Sequence, residues 1–209
     1  MDVGEEEGRS ARKRRAIMDA AAQLFLRKGY QGTNMDQIAA EAAVSKQTVY
    51  KNFADKEKLF SAIVLGISER AETFVGASVR ALGEDEDIET HLKELGRDYI
   101  SAVVQPRVLR LRRLMVAEAG RFPELARGYY ERTAQRTLTA LAAHFRDLGE
   151  RGLLSVDDPA AAARHFAFLI LGSSLDRAMF GMGGEHAKKD LERLADDGVR
   201  VFLAAYRGT

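Results

Sequence analysis

An all-α fold is predicted by three observations. Apolar residues recur with a helical period along most of the 209 residues, and no segment keeps the alternation of a half-buried strand. Only three prolines punctuate the chain, and Pro106, Pro123 and Pro159 each stand where a helical stripe begins or ends. Ser, Thr and Asp residues precede the first apolar stripes at cap positions. No internal repeat is present.

Residues 1–8 are acidic, carry no apolar residue beyond Met1 and Val3, and are expected to form a disordered tail. Ser10 can cap a helix that ends at Lys28 before Gly29; Ile17, Ala20, Ala21, Leu24 and Phe25 are its apolar face. Thr33 is placed as the cap of a second helix, with Asp36 as its capping-box partner and Met35, Ile38, Ala39 and Ala42 as its buried face. Ser45 caps a third, and Val44 can staple against Val49. Asp55 caps a fourth, expected over 56–82, with Leu59, Phe60, Ile63, Val64 and Ile67 facing inward. Longer helices follow over about 87–104, 106–119, 123–151, 159–180 and 187–206, with stops at Gly152 and the Gly181–Gly184 loop.

Composition excludes several functions. There is no cysteine, so disulfides, thiolate metal sites and cysteine nucleophiles are ruled out. The charged N-terminus is not a signal peptide. The apolar run from Phe166 to Leu171 is far shorter than the roughly 20 residues of a membrane helix. A soluble cytoplasmic protein without membrane contact is expected. The net charge of +1 conceals an asymmetry: residues 9–60 hold 11 Lys and Arg against 5 Asp and Glu, while residues 61–209 hold 21 against 22. A polyanion would meet the first third of the chain.

The segment from Thr33 to Phe60 reads as two short helices, a tight turn between them, and the start of a third. Val49 and Phe53 suit the buried face of the second short helix, while Lys46, Gln47 and Lys51 point outward. Lys can donate to guanine and Gln can pair with adenine in the major groove. Ser45, Thr48, Tyr50 and Asn52 suit phosphate oxygens, which set register. Thr33 and Lys56 lie at other helix starts, where a phosphate would be welcome. Each residue alone is an ordinary solvated helix residue. Their order in a capped helix-turn-helix within a basic segment points to DNA, bound in a salt-dependent way. The Arg12–Arg15 cluster could add backbone or minor-groove contacts, or be the solvated start of its helix.

The same stretch resembles the DNA-binding domain of the TetR/AcrR family of one-component transcriptional regulators. The matching residues are Ala16–Ile17, Leu24–Phe25, Gly29–Tyr30, Gly32–Thr33, Ile38–Ala39, Val44–Ser45–Lys46, Thr48–Val49–Tyr50, Phe53, and Lys56–Glu57 with Leu59–Phe60. The segment from Leu109 to Arg132 resembles the AefR-type C-terminal subgroup. The resemblance implies a helix-turn-helix DNA-binding domain at 9–55 and a larger helical ligand-binding and dimerisation domain at 56–209, joined by the helix 56–82. It implies a repressor that binds a palindromic operator as a homodimer and is released by a small apolar or amphipathic effector. There are two departures: Ala43 stands where many relatives have Gly in the turn, and Gln47 where Gly is frequent. A non-glycine residue at positive φ costs about 1 kcal/mol or more.

Within the second domain, candidate pocket residues are Tyr99, Val103, Leu114, Met115, Glu118, Phe122, His144, His165, Phe168, Leu169 and Met179. The plain alternative is that such residues at helical spacing are core. Candidate dimer-interface residues are Phe166, Ile170, Ser173, Leu194, Val199 and Phe202 on the last two helices. Catalysis is not expected. The acidic clusters at Glu84–Asp87, Asp157–Asp158 and Asp196–Asp197 fall at helix boundaries or solvent faces, and no phosphate loop or nucleophile motif accompanies them. No cofactor and no metal site is expected. A ligand-independent architectural DNA binder is the alternative function.

Overall fold

A computed structural model describes residues 3–66, 87–181 and 188–208, with side chains from Ser10 onward. Its helices are α1 (Val3–Lys28), α2 (Met35–Glu41), α3 (Lys46–Asn52), α4 (described over 56–66), α5 (Ile88–Val103), α6 (Pro106–Glu118), α7 (Pro123–Tyr130), α8 (Arg136–Glu150), α9 (Pro159–Met179) and α10 (Lys188–Tyr206). A π-helical turn over Glu131–Gln135 runs from α7 into α8. Among the described residues there is no strand, and Leu154 and Arg207 make an isolated antiparallel bridge.

Two local expectations differ from what forms. Helix α1 starts at Val3, so the segment expected as a tail is helical. The cap of α2 is Asn34 and not Thr33. Asn34 accepts from the Gln37 backbone N–H while the Gln37 side chain accepts from the Asn34 N–H, so the box closes one residue later than expected. Thr33 instead turns its hydroxyl inward and donates to the Gly29 carbonyl at 2.9 Å. Gly29 itself ends α1 at φ 74°, as its position suggests. The outer part of the expected 56–82 helix, including Ile67, and residues 182–187 lie outside the described residues.

The chain divides into two compact units, and the division is not the expected cut at residue 55. One unit contains α1–α4 and residues 110–129; the other contains the rest. The first unit's core joins Ile17, Leu24, Phe25, Ile38, Val49, Phe53, Phe60 and Val64 to Leu111, Leu114, Met115, Phe122 and Tyr129. Helix-turn-helix residues alone do not enclose this core, because the ring of Phe122 packs 4.9 Å from Tyr30 and 5.7 Å from Phe60, centroid to centroid. Leu114, Met115 and Phe122 are therefore core of the head, not lining of a pocket in the other unit.

The second unit packs α5, α8, α9 and α10 around Phe145, Phe166, Ile170, Val199 and Phe202. Gly198 permits the close crossing of α9 and α10: a Cβ there would stand 2.8 Å from the Leu169 carbonyl oxygen and 3.0 Å from the Ile170 side chain. Arg97 on α5 grips Asp196 on α10 with two bonds of 2.7 and 2.6 Å. Of the acidic clusters, Asp87 caps α5 and Asp158 caps α9. Helix α9 bends at Gly172, where φ is 36° and ψ is −136°.

Replacing Phe122 by Ala is expected to destabilise the head by about 3 kcal/mol, because a buried aromatic leaves a cavity. Urea unfolding checks this, and a loss under about 1 kcal/mol would mean that 110–129 is dispensable to the head core.

Candidate nucleic-acid interface

Helix α3 is held on one side and exposed on the other. Ser45 caps it, accepting from the Thr48 N–H, and the two hydroxyls lie 2.8 Å apart. Val49 is fully buried, and the C-cap Phe53 is buried with it. The guanidinium of Arg14 on α1 lies 4.6 Å above the Phe53 ring, so a second helix braces the end of α3. Gln47, Tyr50 and Lys51 are exposed on the opposite side. Asn52 is half-buried and donates to the Thr48 carbonyl at 2.9 Å, which spends part of its capacity inside the helix. Lys46 is exposed and paired with Asp36 of α2 at 2.8 Å. That hydrogen bond, and then the carboxylate's charge, hold the Lys46 ammonium above its usual range.

The turn before α3 has the geometry that its composition resists. Ala43 adopts φ 51°, the left-handed conformation, at the position after the α2 C-cap. Its N–H donates to the Ala40 carbonyl, and the Val44 N–H donates to Ala39. This is a Schellman closure formed with alanine where glycine is preferred.

Two expected contact residues are engaged elsewhere. Thr33 is 1% exposed, so its side chain cannot reach a phosphate. The Lys56 ammonium donates to the Tyr30 and Thr33 carbonyls at 3.0 and 2.9 Å and lies 4.2 Å from the Tyr30 ring centroid. Burial lowers its pKa, and the nearby Arg121 charge lowers it further. Lys56 thus clamps the loop between α1 and α2. Its value to the surface is indirect, since that loop sets where α2 begins.

The sequence pattern missed Arg121, the clasp on Tyr30 and the brace that Arg14 makes on Phe53. Arg121 covers the Tyr30 ring at 5.1 Å and touches the Phe122 ring at 5.5 Å. A charge average over 61–209 hid Arg121. Between 107 and 136 the chain has eight Arg against three Glu, and Arg110, Arg112, Arg113, Arg121 and Arg127 belong to the same unit as α3. A shorter counting window would have found this.

The expected pocket set does not come together. Leu114, Met115 and Phe122 are in the head unit, as is Glu118. Phe168 and Leu169 face outward, 75% and 38% exposed. His165 is exposed and shares a 2.6 Å hydrogen bond with the Tyr206 hydroxyl. Met179 is half-buried. What remains together is Tyr99 and Val103 on α5, packed against the second core, and His144 on α8. His144 is buried with its Nε2 2.9 Å from Nε2 of His91, one ring donating and the other accepting. His91 was not anticipated. The expected interface residues Phe166, Ile170, Val199 and Phe202 are buried inside their own unit, because the inner face of α9 and α10 is used within one chain. Ser173 is exposed and Leu194 half-buried.

Comparison with known proteins agrees with this architecture. Residues 17–63 match the model of bacterial regulatory proteins of the tetR family, and residues 90–208 match the AefR-like transcriptional repressor C-terminal domain. The chain belongs to the TetR family of transcriptional regulators. A TetR-family regulator from Mesorhizobium loti is 41% identical, with a TM-score of 0.87 over 95% of this chain and 98% of that one. The flavonoid-responsive regulator FrrA is 29% identical, with a TM-score of 0.76 over 94% and 98%. The transcriptional repressor SCO4008 of Streptomyces coelicolor is 32% identical over 69% of this chain and 68% of its own. UidR of Escherichia coli matches over a shorter stretch, 37% identical across 34% and 35% of the two chains. This TetR-family regulator therefore carries a helix-turn-helix DNA-binding domain and a helical C-terminal domain. No described helix is long and apolar enough to cross a membrane.

Ala43→Gly is expected to raise stability. Relief of left-handed strain gives about 1–2 kcal/mol, against roughly 0.4–1 for the greater freedom of the unfolded chain. A lower urea midpoint for the variant would show that the turn is not strained.

Proposed function

We propose that the protein is a homodimeric transcriptional repressor that reads a palindromic operator through α3 and is released by a small amphipathic effector. The observation that carries this reading is the exposure of Gln47, Tyr50 and Lys51 on a helix whose reverse side is locked by Val49, Phe53 and Arg14. A rigid helix with outward donors is what the major groove accepts. Lys46 opens the same surface, and Ser45 and Thr48 lie at the helix start, where phosphates are met. SCO4008 is a repressor by name, which supports repression as the output. The protein would act in the cytoplasm.

Dimerisation is supported by the outer face of α9 and α10. Gly198 lies against the Leu169 carbonyl and His165 bonds Tyr206, and Phe168, Leu169 and Val201 are large apolar residues that this closely packed helix pair leaves exposed. Two such pairs would make a four-helix interface, with Ser173 and Leu194 at its margins. Two heads then require half-sites about one helical turn apart, roughly 34–36 Å or a multiple.

The effector site is proposed around Tyr99, Val103, His91 and His144 in the second unit. An apolar surround with a few hydrogen-bonding groups suits an amphipathic molecule, and FrrA is a relative that responds to flavonoids. The effector must favour the conformation that reads DNA poorly. An architectural, ligand-independent role is the competing reading: footprints at a few palindromes support repression, and uniform coverage supports the alternative.

Gln47→Ala is expected to relax preference at one base pair per half-site in a binding selection, at about 1–3 kcal/mol. An unchanged selected sequence would remove Gln47 from the reading set. Phe168→Asp is expected to give monomers in light scattering and to weaken operator binding by about 100-fold or more. A dimer that survives this change would place the interface elsewhere.

A further inference from the structure

Arg14 braces Phe53, yet a brace uses little of what an arginine offers. Its guanidinium lies 4.6 Å from the centroid of the Phe53 ring. That contact engages the flat face of the group, while its five N–H donors point outward along its edges. Nη1 meets the Met18 sulfur at 3.0 Å, and a thioether is a weak acceptor. Arg14 is exposed, and among the described residues no carboxylate pairs with it. Arg97 and Lys46, by contrast, each hold one. Covering the Phe53 ring asks only for a side chain of this length, and a methionine would serve. The charge and most of the donors are left for a partner outside the chain.

We propose that Arg14 is a phosphate-contact residue: the Phe53 ring holds its guanidinium in place, and the open edge takes a DNA phosphate at the C-terminal end of α3. This rests on α3 being the reading helix. Phe53 is the C-cap of α3, so Arg14 stands at the end of that helix and not behind its middle. At about 1.5 Å per residue, the seven residues of α3 span roughly 10 Å, close to the ~12 Å width of the major groove. A cation at the end of such a helix is level with a phosphate wall. Phosphate offers oxygens that match the guanidinium fork. Stacking on a buried ring has already removed much of the rotamer freedom that binding would cost. The contact adds affinity for any sequence, and it fixes the end of α3 along the backbone, which sets the register of Gln47.

The test uses the full chain and fluorescence anisotropy across a potassium chloride series. The probes are the operator fragment recovered from genomic selection and a random-sequence duplex. R14M and R14L keep the cover over Phe53 and remove the charge and the fork; R14Q is a third neutral replacement, and R14K keeps the charge without the fork. Thermal melting confirms that each variant is folded. The neutral variants are expected to bind both DNAs about 3- to 10-fold more weakly, with a salt slope shallower by about 0.9 per subunit. R14K is expected to recover the slope and only part of the affinity. Methylphosphonate placed in turn at each operator phosphate locates the contact. At one phosphate per half-site it should weaken the wild type by about 3- to 10-fold and R14M by less than about twofold. An unchanged slope in the neutral variants, full recovery by R14K, or no phosphate whose loss is coupled to Arg14 overturns the inference. If Q47A and K51Q both leave operator binding unchanged, α3 is not the reading helix and both readings fall. If those two weaken operator binding while the neutral Arg14 variants bind as the wild type does, the role of Arg14 alone falls.

Discussion

The clasp on Tyr30 is the contact on which the head's geometry depends. The ring is buried, stacked at 5.8 Å on Phe25 of α1 and at 5.0 Å from Phe60 of α4. Lys56 and Arg121 add their cations to it, and Phe122 meets it edge-on. Aromatic pairs of this kind add about 0.5–1.5 kcal/mol each beyond burial. Their geometric effect is larger, because four chain segments meet at one ring. The same lysine that faces the ring bonds the Tyr30 and Thr33 carbonyls, so the loop ahead of α2 has one permitted course. Helix α2 then starts directly after its cap, Asn34, the Ala43 turn follows, and α3 takes its direction from both.

Charge in this protein is organised by partner more than by total. Lys56 and Arg121 are committed to an aromatic ring, Arg97 to Asp196, Lys46 to Asp36 and Arg14 to Phe53. Besides Lys46, α3 exposes Gln47, Tyr50 and Lys51. A surface with many cations already engaged internally relies on shape and register to bind, and less on bulk attraction.

Much of this was legible in the sequence because it is local. Apolar spacing identified the buried face of α1 residue by residue, and Ser45, Asp55, Gly29 and Gly152 mark real helix boundaries. The left-handed turn at Ala43 was implied by the resemblance, which puts glycine at this position in many relatives. What was not legible depends on distant packing. Nothing near Phe122 in sequence says that its ring closes a core some sixty residues earlier. The period of α9 gives a face but not which side faces inward, so Phe166 and Ile170 were assigned to an interface while Phe168 is the exposed one. Thr33 and Asn34 are both good caps, and only the hydroxyl bond to Gly29 decides between them.

The return of residues 110–129 into the head unit bears on how such chains can be recombined. Exchange of reading heads between relatives is usually pictured as a single crossover after the helix-turn-helix. In this chain a crossover at residue 60 would join a new Tyr30 pocket to an old Phe122 and Arg121. The head is discontinuous in sequence, and its true cassette has two pieces. A graft that carries both pieces preserves the ring cluster; one that carries the first alone inherits a mismatched lid.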